Sequence, residues 1–162
     1  MLDSTSDCEH IAEGALSVQL ATRHTERDRL SRIVERFGQS HCLPRKTIFA
    51  LNLALDELFT NLVEHGCRDG GEHAAWVSLS YEAGVVTVDK EDDGCPFNPL
   101  GAPEPDCDPT TAPRESGYGI HLVRSLSDTI EYQRCRGKNL LRLRQRIHGE
   151  QETPPRLPLP RS

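Results

Sequence analysis

The segment from Ala50 to Gly66, ALNLALDELFTNLVEHG, constrains the fold of this chain more than any other. Its leucines recur at intervals of three and four residues, which predicts an amphipathic helix with one face in the core (Leu51, Leu55, Leu58 and Leu62). Glu57, Asn61 and His65 recur every fourth residue on another face, which lines up a carboxylate, an amide and an imidazole. A stripe of this kind is by itself more often plain surface, so its meaning depends on the rest of the chain.

Length, charge and cysteine spacing limit the class of protein. The 162 residues suffice for one domain with a real core, and the net charge of −6 argues against binding to the nucleic-acid backbone. The 6 cysteines stand far apart without a CxxC pair, so a zinc site is not indicated. Their even number leaves a disulfide framework open, but residues 1–10 do not resemble a signal peptide, and we expect reduced thiols in a cytoplasmic protein. No apolar run approaches the roughly 20 residues of a membrane-spanning helix.

Five strands are predicted from alternating apolar and polar side chains, and turn residues join four of them into two hairpins. In the first strand Leu16, Val18 and Leu20 would face the core. In the second strand the inward row begins at Trp76 or at Val77, and the pattern leaves both open. The predicted strands cover 15–21, 75–81, 85–89, 129–135 and 139–147.

Two helices are predicted between the first two strands, and a third before the last hairpin. Thr25 suits the N-cap of the first helix, and Gly38 suits its terminator. Pro44 would open the second helix, which carries the leucine-rich segment and ends near Gly66. The third helix would follow the glycine-containing sequence 116–119. Helices grouped against mainly antiparallel strands predict an α+β fold, a two-layer sandwich.

Three segments lack the periodicity of a helix or a strand. We expect residues 1–13 to form a flexible N-terminus and the Pro- and Arg-rich residues 149–162 a disordered tail, so that the domain spans 14–148. From about 98 to 116 the chain is rich in proline and acidic residues. A stretch of this length without structure is often a lid over a binding site, and the alternative is a variable insertion.

Three polar segments together supply the parts of an ATP–Mg²⁺ site. Asn61 offers an amide oxygen to Mg²⁺, and Glu57, one turn away, can orient or deprotonate a nucleophile. Asp92, in an Asp-Asp-Gly turn, can accept a hydrogen bond from an exocyclic amine such as that of adenine. The sequence Gly117-Tyr118-Gly119 at a helix start can offer backbone N–H groups to phosphates. The chain has no GxxxxGK[ST] sequence, which excludes a Walker-type site.

The order of these segments resembles the GHKL (Bergerat-fold) ATP-binding family and, within it, the anti-sigma-factor serine kinases. Asp56–Gly66 is similar to the N-box of the family, and Asp92–Pro99 resembles its first glycine box. Ser116–Asp128 resembles the second glycine box, although Ser116 replaces one glycine of the usual GGxG. Tyr132–Arg144 is similar to the last hairpin of that branch. The resemblance covers residues 15 to 147 approximately.

The resemblance implies a role for each matching residue. Glu57 would be the general base toward a serine hydroxyl on a protein substrate, and Asn61 would coordinate Mg²⁺. Asp92 would hold the adenine amine, while Gly94 would let the chain pass close to the base. The implied fold is the histidine-kinase-like ATPase sandwich, with a mixed, mainly antiparallel sheet and helices on one face. The residues implied in binding the nucleotide at the third helix are Gly117, Tyr118, Gly119 and Ile120.

The implied function is an ATP- and Mg²⁺-dependent serine/threonine protein kinase that acts as an anti-sigma factor. Its partners would be a sigma factor and a small anti-anti-sigma (STAS-type) protein that it phosphorylates; homodimers are common in the family, and neither nucleic acid nor membrane is bound directly. One alternative is a regulator of the same fold without phosphoryl transfer, against which the intact Glu57 and Asn61 argue. Another is a histidine-phosphorylating sensor kinase, but residues 1–15 show no dimerisation helix with a phosphoacceptor histidine.

Overall fold

A computed structural model of the chain describes residues 10–12, 14–66, 71–101 and 118–147. The strands are β1 (His10–Ala12), β2 (Ala15–Ala21), β3 (Ala74–Glu82), β4 (Val85–Asp92), β5 (Thr129–Cys135) and β6 (Lys138–Arg146). The helices are α1 (Glu26–Ser40), α2 (Arg45–Asn61) and α3 (Tyr118–Leu126), with a π turn at Leu62–Gly66 and a 3-10 turn at Pro99–Gly101. The five predicted strands are thereby confirmed, β4 runs on to Asp92, and the short strand β1 was not predicted.

The six described strands form one sheet in the order β1-β2-β3-β4-β6-β5. Every pairing between them is antiparallel, so the parallel pairs of a mixed sheet have no counterpart in this part of the chain. β2 and β3 are antiparallel because the two helices between them bring the chain back to the end of the sheet at which β2 finishes. The predicted α+β sandwich with a mainly antiparallel sheet is confirmed.

One hydrophobic core lies between the helices and one face of the sheet. The predicted leucine row of α2 is buried there, together with an apolar row of α1 (Leu30, Ile33, Val34 and Phe37). In β3 the inward residue is Val77 and not Trp76. Alternate residues of the strands complete the core: Val18, Leu20, Ala75, Val77, Leu79, Val86, Val88, Leu141 and Leu143. This packing fixes the orientation of α2 and therefore of its polar side.

The prediction that Gly38 ends α1 is wrong, because the helix continues beyond it. A Cβ on Gly38 would lie 2.4 Å from Cγ1 of Ile48, so the glycine lets α1 approach α2 closely. The helix instead ends at Ser40, and Cys42, two residues beyond it, has a left-handed φ of 52°. The N–H of Leu43 donates to the Gly38 carbonyl at 2.8 Å, and the N–H of Cys42 donates to the Gln39 carbonyl at 3.1 Å. This is a Schellman motif with cysteine at the usual glycine position.

The predicted helix starts are confirmed in position. Thr25 and Pro44 are the residues before α1 and α2, but the Thr25 side chain makes no capping hydrogen bond. The predicted tail, most of the predicted lid and the predicted N-terminal segment other than β1 lie outside the described residues. None of the helices in the described ranges is both long enough and apolar enough to cross a membrane.

Candidate functional site

A cleft opens where the end of α2 meets the ends of β4, β5 and β6. It comprises about 430 Å³ of space, part of which is open to solvent. Asn61 and Asp92, which come from separate sequence boxes, both line it. The other lining residues are Leu58, Leu62, Gly66, Lys90, Cys95, Phe97, Pro99, Tyr132, Asn139 and Leu141. The fold thus brings the predicted metal ligand and the predicted adenine-binding carboxylate to one pocket.

The polar side of α2 carries Asn61 at the cleft and Glu57 one turn before it. The half-buried Asn61 amide makes no hydrogen bond to another described residue, so its oxygen is available to a ligand. Burial raises the pKa of the Glu57 carboxyl above its ordinary value, and the nearby Asp56 carboxylate raises this pKa further. A higher pKa makes the Glu57 carboxylate a stronger base. Glu57 itself is not among the residues that line the cleft.

A π turn at Leu62–Gly66 ends α2 directly after Asn61. Such turns contain i→i+5 hydrogen bonds and occur frequently at functional sites. The wider turn shifts His65 off the line that the four-residue spacing predicts. The His65 side chain is 50% exposed, and its Nε2 lies 3.7 Å from Oε2 of Glu64. The Gly66 carbonyl accepts the N–H of Cys95 at 2.9 Å, which joins the end of α2 to the loop after β4. The predicted polar stripe therefore reaches the cleft only through Asn61.

The Asp92 carboxylate lies at the floor of the cleft and is held on both oxygens. The residue is 3% exposed. Its Oδ1 accepts the N–H of Gly94 at 3.1 Å and the Nδ2–H of Asn139 at 2.8 Å. Its Oδ2 accepts from Nζ of Lys90 at 2.7 Å. These donors fix the direction of the carboxylate before any ligand arrives.

Gly94 is required by contacts within the protein. A Cβ on this residue would lie 2.8 Å from the Gly66 carbonyl oxygen, 3.0 Å from Asp92 Oδ1 and 3.1 Å from Leu62 Cδ1. The resemblance implied that this glycine allows close passage to a base. The structure adds a second reason, since the loop after β4 packs directly against the π turn.

Lys90 and Asn139 also line the cleft, and neither was predicted as a site residue from the sequence. Asn139 is buried, and its Oδ1 accepts from the Tyr132 hydroxyl at 2.8 Å and from Arg134 Nη1 at 2.7 Å. Its Nδ2 donates to the Cys95 carbonyl at 2.9 Å as well as to Asp92. A signal was present, because alternation in β4 and β6 assigns both residues to the buried row, where an amide or an ammonium is unusual.

The second aspartate of the Asp-Asp-Gly turn has a different task. Asp93 Oδ1 accepts the N–H of Ala74 at 3.1 Å and lies 3.2 Å from Nδ1 of His73. Asp93 therefore holds the start of β3, whereas Asp92 faces the cleft.

The predicted phosphate-binding segment is described only in part. Tyr118, Gly119 and Ile120 form the first turn of α3, and Gly117 lies outside the described residues. The fully buried Val123 anchors α3 in the core. Arg124 donates to the Leu100 carbonyl, which ties α3 to the 3-10 turn beside the cleft.

The residues present fit Mg²⁺ held partly by a nucleotide. Among the described residues no group of three His, Cys, Asp or Glu side chains could hold a metal ion. Mg²⁺ commonly takes one or two protein oxygens and completes its shell with water and phosphate oxygens. The free amide oxygen of Asn61 suits that arrangement. Among the described residues, Cys42, Cys95 and Cys135 are free thiols.

Comparisons with known proteins give consistent results. The family described as "Histidine kinase-like ATPase domain" matches residues 20–145. The chain is 29% identical over 96 residues to the serine/threonine-protein kinase BtrW of Bordetella bronchiseptica, an alignment that covers 59% of this chain and 68% of that protein. The solved structure of the RsbU and RsbW domains of Rv1364c from Mycobacterium tuberculosis has a TM-score of 0.57 and 16% identity, covering 82% of this chain. The match spans 32% of that longer chain, and it shows a shared fold.

Proposed function

Because the chain belongs to the histidine kinase-like ATPase (GHKL) family, we propose that it is an ATP-dependent serine/threonine protein kinase of the anti-sigma-factor type. It would phosphorylate a small anti-anti-sigma (STAS-type) protein, bind a sigma factor, and act in the cytoplasm, with a homodimer as the expected assembly. The observation that carries the proposal is the single cleft that holds Asp92 at its floor and Asn61 at the end of α2. The likeness to a curated serine/threonine-protein kinase supports it.

Recognition of adenine is assigned to the floor of the cleft. Asp92 accepts the exocyclic amine of the base, and its carboxylate is already oriented by Gly94 and Asn139. The apolar side chains of Leu58, Leu62 and Leu141 line the same cleft and pack against the adenine ring. The amine therefore binds to a fixed acceptor, which lowers the ordering cost of binding.

Phosphoryl transfer is assigned to the polar side of α2. Asn61 would hold Mg²⁺ through its amide oxygen, and the metal would neutralise charge on the nucleotide phosphates. Glu57 takes the proton from the serine hydroxyl of the protein substrate as the serine oxygen attacks the γ-phosphorus. The bond between the γ-phosphorus and the β–γ bridging oxygen breaks, and ADP leaves. The raised pKa of Glu57 suits this role, because a stronger base removes the proton more readily.

The test is transfer of labelled phosphate from ATP–Mg²⁺ to candidate anti-anti-sigma proteins. We expect Glu57→Gln to lower the rate by about 100-fold or more while nucleotide affinity is kept. Glu35→Gln is the matched control, since Glu35 is an exposed carboxylate on α1 and is not among the groups that shift the pKa of Glu57; this variant should transfer phosphate as the wild type does. Full activity in Glu57→Gln would refute the assigned base, and a wild-type chain that binds no ATP would refute the proposal.

A second candidate function is a regulator that binds nucleotide without transferring phosphate. The position of Glu57 outside the lining of the cleft favours it. The same assay separates the two, because this regulator would bind ATP and retain its partner but label none of the candidate substrates.

A further inference from the structure

Lys90 is a charged residue in an otherwise apolar row of the sheet. It follows Val86 and Val88 on the helix-facing side of β4, and its register partners on the neighbouring strands are Val77 and Leu141. Its side chain is 9% exposed, and it lines the cleft two residues before Asp92. Burial of an ammonium is costly unless the charge is paired, so its presence in this row calls for a specific partner.

The pairing of Lys90 is only partly complete within the protein. Nζ donates to Asp92 Oδ2 at 2.7 Å, and this is its one hydrogen bond to the described residues. An ammonium has three N–H groups, so two are left for a molecule in the cleft. On the carboxylate, Oδ1 already accepts two donors, whereas Oδ2 accepts only Lys90 and keeps a free lone pair. A donor and an acceptor thus stand side by side at the floor of the cleft.

We propose that Lys90 is a base-specificity residue that reads the ring nitrogen next to the exocyclic amine of adenine. This inference rests on the proposed nucleotide-binding function. Asp92 Oδ2 accepts the N6–H, while Lys90 Nζ donates to N1 of the same edge. Guanine and hypoxanthine present the reverse order on this edge, a carbonyl at C6 and an N–H at N1. They would set an acceptor against the carboxylate and a donor against the ammonium, so the pair selects adenine.

A structural role for Lys90 must be separated from a reading role. If Lys90 only neutralised the charge of Asp92, its loss would weaken the binding of all nucleotides by the same factor. If Lys90 donates to N1, its loss would remove the difference in affinity between a nucleotide with a nitrogen at position 1 and one without it. The informative probe is therefore 1-deaza-ADP, which keeps the exocyclic amine but has carbon in place of N1.

The experiment measures dissociation constants of ADP, 1-deaza-ADP and IDP by calorimetry for the wild type, Lys90→Met and Lys138→Met. Wild-type protein should bind 1-deaza-ADP about 10- to 100-fold more weakly than ADP, as expected for one hydrogen bond from a charged donor. Lys90→Met should bind both about equally and should also discriminate less against IDP. Lys138→Met should keep the wild-type ratios, because Lys138 lies outside the cleft lining and pairs with Glu91 at 2.5 Å.

The outcomes distinguish this inference from the function on which it rests. Wild-type protein that binds ADP and 1-deaza-ADP equally would overturn the role of Lys90, and this result needs no variant to fold. A Lys90→Met chain that melts cooperatively and keeps the wild-type ratio would overturn it as well. Wild-type protein that binds neither nucleotide would overturn the proposed function itself.

Discussion

A methyl group at Gly94 tests whether the cleft is held by the contact between the loop after β4 and the π turn. In Gly94→Ala the new Cβ would lie 2.8 Å from the Gly66 carbonyl oxygen and 3.0 Å from Asp92 Oδ1. The nearest of these atoms belongs to the backbone, so it cannot be relieved by rotation of a side chain. The loop must move away from the π turn, and the Asp92 carboxylate must turn.

The cost follows from the contacts that this movement weakens. Overpacking of a tight site costs about 1–3 kcal/mol. The hydrogen bond from Cys95 to Gly66, at 2.9 Å, would lengthen and lose part of a further contribution of about 1 kcal/mol. A total of about 1–4 kcal/mol corresponds to a fall in Tm of about 3–15 °C for a domain of this size. Nucleotide affinity should fall by more than about 10-fold, because Asp92, the proposed adenine acceptor, loses its fixed direction.

Thermal unfolding and binding of a fluorescent ADP analogue measure the two effects. Gly101→Ala is the matched control, since a Cβ there meets no atom within 4 Å and should leave both quantities unchanged. Removing side-chain bulk at Leu62 in Gly94→Ala should not restore stability, because the closest contact is with a carbonyl oxygen. Wild-type Tm and wild-type affinity in Gly94→Ala would refute the reasoning.

Three other predictions concern α1 and α2. Gly38→Ala should lower the free energy of unfolding in urea by about 1–3 kcal/mol, because its Cβ would lie 2.4 Å from Ile48 Cγ1. Adding Ile48→Ala should recover part of this loss. An unchanged urea midpoint in Gly38→Ala alone would contradict the close helix contact. Glu57→Gln should be more stable than the wild type at neutral pH, because the raised pKa means that charged Glu57 costs stability above its folded pKa. That gain should vanish below the unfolded pKa of about 4.3, and a gain that persists in acid would argue for another cause. Arg27 lowers the pKa of Glu57 and Asp56 raises it. Arg27→Met should therefore move the acidic limb of the pH–rate profile to higher pH, and Asp56→Asn should move it to lower pH. Profiles identical to that of the wild type would show that neither residue influences the proposed base.

The parts of the fold set by side-chain spacing were predictable from the sequence. The leucine row of α2 identifies the core face because a helix repeats every 3.6 residues, and burial of the row leaves Asn61 on another side of α2. Asp92 was identified because an Asp-Asp-Gly turn at the end of an apolar strand is a recognisable pattern. These features depend on local order along the chain, which a single sequence contains.

The parts set by contacts between distant segments were not predictable. A glycine near a helix end suits both termination and close packing, and only Ile48 on the next helix decides between them for Gly38. The π turn was not predicted from the spacing, and its last residue, Gly66, accepts the N–H of Cys95, a residue distant from it in the sequence. Lys90 and Asn139 are polar residues in the buried rows of β4 and β6. Asn139 meets Asp92 only because β6 pairs with β4 in a register that sets the two residues opposite each other, and this register is not written in either segment alone.

Because Asn139 lies on β6, the site is completed late in protein synthesis. β6 is made after every other described strand, yet it is inserted between β4 and β5. Until it arrives, β4 is an open edge, and Asp92 lacks the amide that holds Oδ1. A nascent chain can therefore pack α1 and α2 while the proposed adenine acceptor is still incomplete. Completion of the sheet and competence to bind the base should then arise in the same step, on the ribosome or after release.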